Sequence, residues 1–208
     1  MNQPDNEISQ LGWYTMMVNL HETGWHDYMG GPISGWEHNY SSHIKNANVY
    51  AEASRWVAGY YPNNSGAFYN DIDHDGVDEL ILHNNKLMAV FESIGGKINW
   101  MFIKDEFGNA KSVIGSDVSY WSETTGDYNE GSYNHFAGLS DVSPNNQNNL
   151  YSLEITQNEP NQSKIRLSYY GVEKDISLNI NDQFLNVSYN FYGDEGYIKS
   201  GWSPDLLD

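Results

Sequence analysis

The sequence contains no cysteine. Without thiols, neither disulfide bonds nor thiolate metal sites are available to this chain. Basic residues are also scarce, since 10 Lys and Arg stand against 28 Asp and Glu and give a formal net charge of −18. Because phosphate groups are bound by basic surfaces, we expect neither nucleic acid nor an anionic membrane surface as a partner.

Long apolar runs are absent as well. No run reaches the roughly 18 residues of a membrane-spanning helix, so we expect no such segment. The polar residues 1–5 lack the basic and apolar regions of a signal peptide, so we expect none there. Apolar residues nevertheless make up 39% and aromatic residues 14% of the 208 residues. That share is sufficient for a packed core.

The residue pattern changes near residue 62, and the change predicts the fold class. Before it, apolar residues at helical spacing predict a helix over residues 5–20 and a stronger one over residues 35–58. In the first helix, Gly12 is expected to weaken the structure. Its buried face is expected to consist of Ile8, Leu11, Met16 and Leu20.

After residue 62 the chain alternates short apolar stretches with turn signals. Strands are predicted at 79–83, 86–93, 97–104, 111–114, 150–157, 164–170, 172–180 and 184–192. Strands of this number and spacing favour a β-sandwich. We therefore predict an α+β fold, with N-terminal helices in residues 1–62 followed by an antiparallel β-sandwich in residues 63–208 that has a calcium loop at its start.

The stretch from Asp71 to Glu79 predicts that calcium loop. Carboxylates occur at alternate positions, a glycine follows, and a further carboxylate lies eight residues after the first: Asp71, Asp73, Asp75, Gly76 and Glu79. Calcium binds six to eight oxygens in irregular geometry, and Gly76 allows a turn that brings in the Val77 carbonyl. Leu82 occupies the twelfth position, so the loop is not an EF-hand. The alternative is a solvated acidic turn, with His74 and Asp78 pointing outward in either case.

Three stretches in this order resemble the C-terminal part of glycoside hydrolase family 57, the α-amylase and 4-α-glucanotransferase type. They are Thr23–Gly31 with the helix around residues 42–47, then Asp71–Leu82 continuing to Phe91, and then Ile94–Ile98. The resemblance covers residues 13–121, and Asp27 and Met29 depart from the family pattern. The nucleophile and acid/base motifs of the family are not present. The resemblance therefore implies a non-catalytic helical segment and sandwich, with a catalytic barrel domain or chain as its partner.

The loop after the first helix is the predicted carbohydrate contact. The resemblance places it beside a sugar-binding groove, where Trp25 could stack on a sugar while His26 and Glu22 supply polar contacts. The alternative is that Trp25 packs under the loop. A zinc site made of His21, Glu22 and His26 is disfavoured, because this spacing matches no zinc-binding helix.

Other aromatic residues have simpler explanations. Trp36, Tyr40, Trp56 and Trp100 are predicted to belong to the core. Residues 116–149 form a long polar stretch whose aromatics suit carbohydrate contact, docking on a neighbouring domain, or packing within the stretch itself.

These observations lead to one main hypothesis and two alternatives. The main one is a non-catalytic region of an α-glucan-active glycoside hydrolase or glucanotransferase, stabilised by calcium. The alternatives are an independent calcium-dependent carbohydrate-binding or cell-surface module and a complete small enzyme. Calcium and acidity favour an extracellular location.

Overall fold

The structure, a computed structural model, describes residues 3–23, 35–115, 138–143, 149–193 and 197–199. It contains helices α1 (Glu7–Thr23) and α2 (Gly35–Val57). The strands follow as β1 (Gly66–Asn70), β2 (Glu79–His83), β3 (Leu87–Glu92), β4 (Lys97–Lys104), β5 (Ala110–Gly115), β6 (Ser140–Ser143), β7 (Ser152–Glu159), β8 (Gln162–Tyr169), β9 (Val172–Asn179), β10 (Asn186–Phe191) and β11 (Tyr197–Lys199).

All strand pairs in the described part of the chain are antiparallel. The first sheet has the order β1-β2-β3-β4-β5, the second has the order β10-β9-β8-β7, and β11 pairs with β6. Consecutive strands are neighbours throughout the two larger sheets, as expected for strands joined by short turns. The predicted α+β class, with helices first and antiparallel sheets after them, is confirmed.

The first sheet is covered on both faces. One face packs on the second sheet, and that core includes Leu80, Leu82, Phe91, Ile165, Leu167, Ile176 and Leu178. The other face packs on the helices, and that core includes Ile8, Val49, Tyr50, Trp56, Ile81, Val90 and Phe102. All five residues of β2 are buried as a result. Trp56 and Trp100 are core residues, as predicted, with 1% and 2% exposure, whereas the side chains of Trp36 and Tyr40 lie outside the described part.

Helix α1 begins with a reciprocal cap. Ser9 N donates to Asn6 Oδ1 at 3.0 Å, and Asn6 N donates to Ser9 Oγ at 3.1 Å. These two bonds satisfy amides that the first turn would otherwise leave unpaired.

Gly12 has a different role from the expected one. A Cβ at this position would lie 2.8 Å from Tyr50 Cβ, so the missing side chain lets α1 approach α2 closely. The expectation that Leu20 belongs to the buried face is wrong, because its side chain is 46% exposed. The buried face instead continues through Gly12 and Thr15.

The predicted strands are present, with shifts of up to two residues at their ends. Strands β1, β6 and β11 were not predicted. Segments as short as these carry little alternation, and pairing with a neighbour decides their conformation. One of them, β1, precedes the acidic loop and is essential to its geometry.

Candidate metal centre

The acidic loop connects β1 to β2, which pair as a hairpin. Asn70 and Glu79 lie opposite each other in the register, so the loop closes directly on the sheet. The two ends of the loop are thereby fixed by strand pairing. This arrangement explains how residues as far apart in sequence as Asp71 and Glu79 come together.

Backbone amides of the loop bind its own carboxylates. Asp75 N donates to Asp71 Oδ1 and to Asp73 Oδ1, both at 3.0 Å. Gly76 N donates to Asp71 Oδ2 at 3.1 Å, and Val77 N donates to Asp75 Oδ1 at 2.7 Å. The carboxylates are therefore held in position on the inside of the turn.

Two residues of the loop have left-handed backbone conformations. Gly76 has φ 94°, and His74 has φ 65°. Glycine adopts such angles without strain, whereas histidine does so at a cost. His74 and Asp78 are both exposed, as predicted. They therefore lie outside the group of inward-facing acids.

Glu79 is the buried member of the cluster, with 1% exposure. Its Oε2 accepts a hydrogen bond from Ile72 N at 2.8 Å. Its Oε1 is buried and has no hydrogen-bond partner among the described residues. The pKa of Glu79 is raised to about 8, chiefly by burial and also by the charges of Asp73, Asp75 and Asp71, against the effect of the Ile72 amide. A buried carboxylate with one oxygen unsatisfied is costly unless a positive group binds it.

The four acids converge on one point. One oxygen from each of Asp71, Asp73, Asp75 and Glu79 lies within 4.8 Å of the others. Two carboxylates about 5 Å apart repel each other by roughly 3 kcal/mol at an effective dielectric constant of 20. These residues could therefore hold a metal ion, and oxygen ligands are those that hard divalent cations prefer.

The loop is also connected to the helical layer. Asn48 of α2 donates from Nδ2 to the Asp73 carbonyl at 3.3 Å. Ile72, between two of the acids, is 3% exposed and belongs to the core shared by the helices and the first sheet. A change in the loop would therefore reach α2 through two contacts.

The predicted carbohydrate contacts lie largely outside the described residues. This applies to Trp25, to His26 and to the aromatics of residues 116–137. Glu22 belongs to the last turn of α1, but its side chain is outside the described part. The side chains of the alternative zinc site, which consists of His21, Glu22 and His26, also lie outside the described part.

Sequence reasoning missed several buried polar residues. His83, Asn84 and Lys174 are all less than 5% exposed. His83 ends the apolar strand β2 and Asn84 follows it, whereas Lys174 takes a core-facing position of the alternating strand β9. A polar residue at such a position is the signal that could have singled them out.

Within the described residues, neither helix has the length and hydropathy that crossing a membrane requires. No known protein family and no curated protein matches the sequence. Among solved structures, the 4-α-glucanotransferase from Thermococcus litoralis aligns with 88% of this chain at 14% identity and a TM-score of 0.38. The aligned part is 34% of that protein, so this chain spans about a third of its length. At this level the similarity carries no argument about function.

Proposed function

We propose that this chain is a calcium-stabilised, non-catalytic C-terminal region of an α-glucan-active glycoside hydrolase or glucanotransferase. In this proposal, residues 1–62 form a helical segment that borders the sugar-binding groove, and residues 63–208 form a sandwich domain. The observation that carries the metal part is the unsatisfied Oε1 of Glu79, buried beside three aspartates. The resemblance of the sequence to glycoside hydrolase family 57 supports the rest.

Calcium fits this cluster better than the other common cations. The ligands would be side-chain oxygens of Asp71, Asp73, Asp75 and Glu79 together with the Val77 carbonyl. Zinc favours nitrogen and sulfur ligands, which this set does not offer. Magnesium favours regular octahedral geometry and retains its water, whereas calcium accepts irregular sets of anionic oxygens.

Calcium titration with thermal unfolding as the readout tests this assignment. A ligand at 100 times its Kd stabilises the folded state by about 2.7 kcal/mol, which corresponds to roughly 5–10 °C for a chain of this size. We expect Tm to rise by this amount with calcium and to fall again with EDTA. Magnesium at the same concentration serves as the control. If calcium added to the fully chelated protein leaves Tm unchanged, the assignment is contradicted.

The exposed face of α1 supports docking on a second domain. Five large apolar side chains are 46–57% exposed along this helix: Trp13, Tyr14, Met17, Val18 and Leu20. Contiguous exposed apolar residues are typical of interaction sites. The partner in this proposal is a catalytic barrel domain or chain.

Two assays on the purified chain test the carbohydrate part. We expect no release of reducing sugar from starch, because the catalytic acids would belong to the barrel. We also expect retardation in gels that contain α-glucan, and Trp25→Ala, His26→Ala and Glu22→Gln should reduce it. Release of reducing sugar would contradict the non-catalytic assignment, and unchanged retardation of all three variants would contradict the contact residues.

An independent calcium-dependent carbohydrate-binding or cell-surface module is the second candidate. It is favoured by the two cores, since both faces of the first sheet are covered by elements of this same chain. Double substitution of Trp13 and Met17 by glutamine separates the two candidates. If the α1 face docks on a barrel, the variant loses association with that domain and keeps its calcium response. An independent module would bind glycan without any such partner.

A further inference from the structure

Lys174 of β9 is fully buried between the two sheets, with 0% exposure. Its neighbours on the same face of the strand, Val172 and Ile176, are core residues. The Nζ atom donates to the carbonyls of Gly95 at 3.0 Å, Gly96 at 2.7 Å and Leu139 at 2.8 Å. An ammonium group has three protons to donate, so these acceptors match its capacity.

Two tyrosine rings also lie close to this ammonium. Lys174 Nζ lies 4.6 Å from the ring centroid of Tyr151 and 5.8 Å from that of Tyr189. Cations are attracted to aromatic faces at such distances, and more strongly where water is excluded. The Tyr189 hydroxyl also donates to the Leu139 carbonyl, at 3.3 Å.

The backbone that supplies the carbonyls is unusual at every position. Gly95 and Gly96 have φ 74° and 52°, and Leu139 has φ 67°. A Cβ on Gly96 would lie 2.7 Å from the Tyr151 ring, so glycine is required there. A left-handed leucine persists only where its surroundings hold it. Two separate segments thus adopt uncommon conformations that aim their carbonyls at one ammonium.

We infer that these three carbonyls and two tyrosine rings form a cation cage, which is a binding site for a primary ammonium group. The ammonium of Lys174 itself occupies this site. Its occupancy fixes the segment that contains Leu139 against the sandwich. Gly138, next to Leu139, pairs with Ile98 of β4 through bonds of 2.9 and 3.1 Å. This site is separate from the acidic loop, and its role does not depend on calcium.

Chemical rescue of Lys174→Ala tests the cage. The substitution removes the side chain beyond Cβ, which has the size and charge of propylammonium. We expect Tm to fall by about 5 °C or more, and refolding with propylammonium chloride to restore part of the loss. 1-Propanol at the same concentration, which has the size but not the charge, should restore none. Lys164→Ala, on an exposed position of the adjacent strand β8, is the matched control and should respond to neither compound.

Lys174→Met provides a second measurement, because it keeps most of the side-chain volume without the ammonium. We expect faster amide hydrogen exchange at Ile98 and Gly138, unchanged exchange at Leu82 in β2, and no effect of propylammonium. The inference is overturned if this variant matches the wild type in Tm and exchange. It is also overturned if Lys174→Ala folds but is not rescued, or if 1-propanol rescues it equally. If Lys174→Ala does not fold, the Tm and the amide hydrogen exchange of Lys174→Met decide whether the inference holds.

Discussion

The indole Nε1 of Trp56 donates a buried hydrogen bond of 2.7 Å to the backbone carbonyl of Asn84. This bond ties the end of α2 to the turn between β2 and β3. The side chain of Asn84 extends the connection further. Its Nδ2 donates to the carbonyls of Asn179 at 2.6 Å and Asp182 at 2.8 Å, at the β9–β10 turn. One turn therefore connects the helical layer, the first sheet and the second sheet.

Substitution of Asn84 should destabilise all three layers. Its Oδ1 also accepts from Lys86 N and Leu87 N, both at 2.7 Å. Asn84→Ala leaves these amides and the two carbonyls without their partner, which we expect to cost about 2–4 kcal/mol of unfolding free energy. Denaturant unfolding measures this loss, with the exposed Asn190→Ala as the control. A loss no larger than that of the control would contradict the role of Asn84.

Gly76 should be required for its backbone conformation alone. A Cβ on Gly76 would have no atom within 4 Å, yet its φ is 94°. Gly76→Ala should therefore cost about 1–2 kcal/mol through backbone strain. Because Gly76 N donates to Asp71 Oδ2, the shifted loop should also bind calcium more weakly.

Gly59 offers a matched control for that experiment. It has φ 81°, and a Cβ on it would likewise have no atom within 4 Å, but it lies beyond the end of α2. Gly59→Ala should lower Tm to a similar extent and leave the calcium titration unchanged. Equal calcium affinities in the two variants would show that the geometry at Gly76 does not govern the site.

Glu79→Gln should separate metal binding from stability. The substitution keeps the size of the side chain but replaces an acid whose pKa is raised to about 8 by an amide that does not ionise. At pH 7 the unfolded chain ionises Glu79, whereas the metal-free folded protein keeps it protonated at a cost in stability. We expect Glu79→Gln to remove this cost and to make the metal-free protein about 1–3 kcal/mol more stable. The rise of Tm with calcium should be largely lost.

Asp78→Asn is the matched control for that pair of effects. Asp78 is exposed and lies outside the four acids that converge. Its substitution makes the same acid-to-amide change in the same loop and should change neither the metal-free Tm nor the calcium response. A calcium response that survives in Glu79→Gln would exclude Glu79 as a ligand.

The sequence predicted the features that depend on local spacing. The acids at 71, 73, 75 and 79 come together because alternation and one glycine determine a short loop, and strand β2 was predicted with its observed ends. Contacts between distant residues could not be predicted in this way. Lys174 and Gly95 are 79 positions apart, and Asn84 and Asn179 are 95 apart. Their partners are backbone carbonyls, which every residue has and which therefore leave no trace in the sequence.

His83 should make stability depend on pH. It is 4% exposed and packs edge-on against Tyr61 and Phe68, with ring centroids 4.9 and 5.9 Å away. A Cβ on Gly66 would lie 2.6 Å from its Nε2, so glycine leaves room for the imidazole. The pKa of His83 is lowered from 6.5 to about 4, chiefly by burial and also by the charge of Lys104, against the effect of a hydrogen bond to the Asn84 backbone.

The sign of the effect follows from proton binding. Between pH 6.5 and 4 the unfolded chain binds more protons at this histidine than the folded one. The contribution of His83 to the free energy of unfolding therefore falls as pH falls through that range. The loss contributed by His83 should approach about 3 kcal/mol at its lower end. The raised pKa of Glu79 acts in the opposite sense, because an acid with a raised folded pKa gains stability as pH falls, so the effect of His83 is measured as a difference between proteins. In urea unfolding at pH 7 and pH 4.5, the wild type should lose about 2–3 kcal/mol relative to His83→Gln, whereas His74→Gln, at an exposed position, should follow the wild type. Because Glu79 contributes equally in all three proteins, an identical pH dependence in His83→Gln and the wild type would mean that His83 is not held neutral by burial.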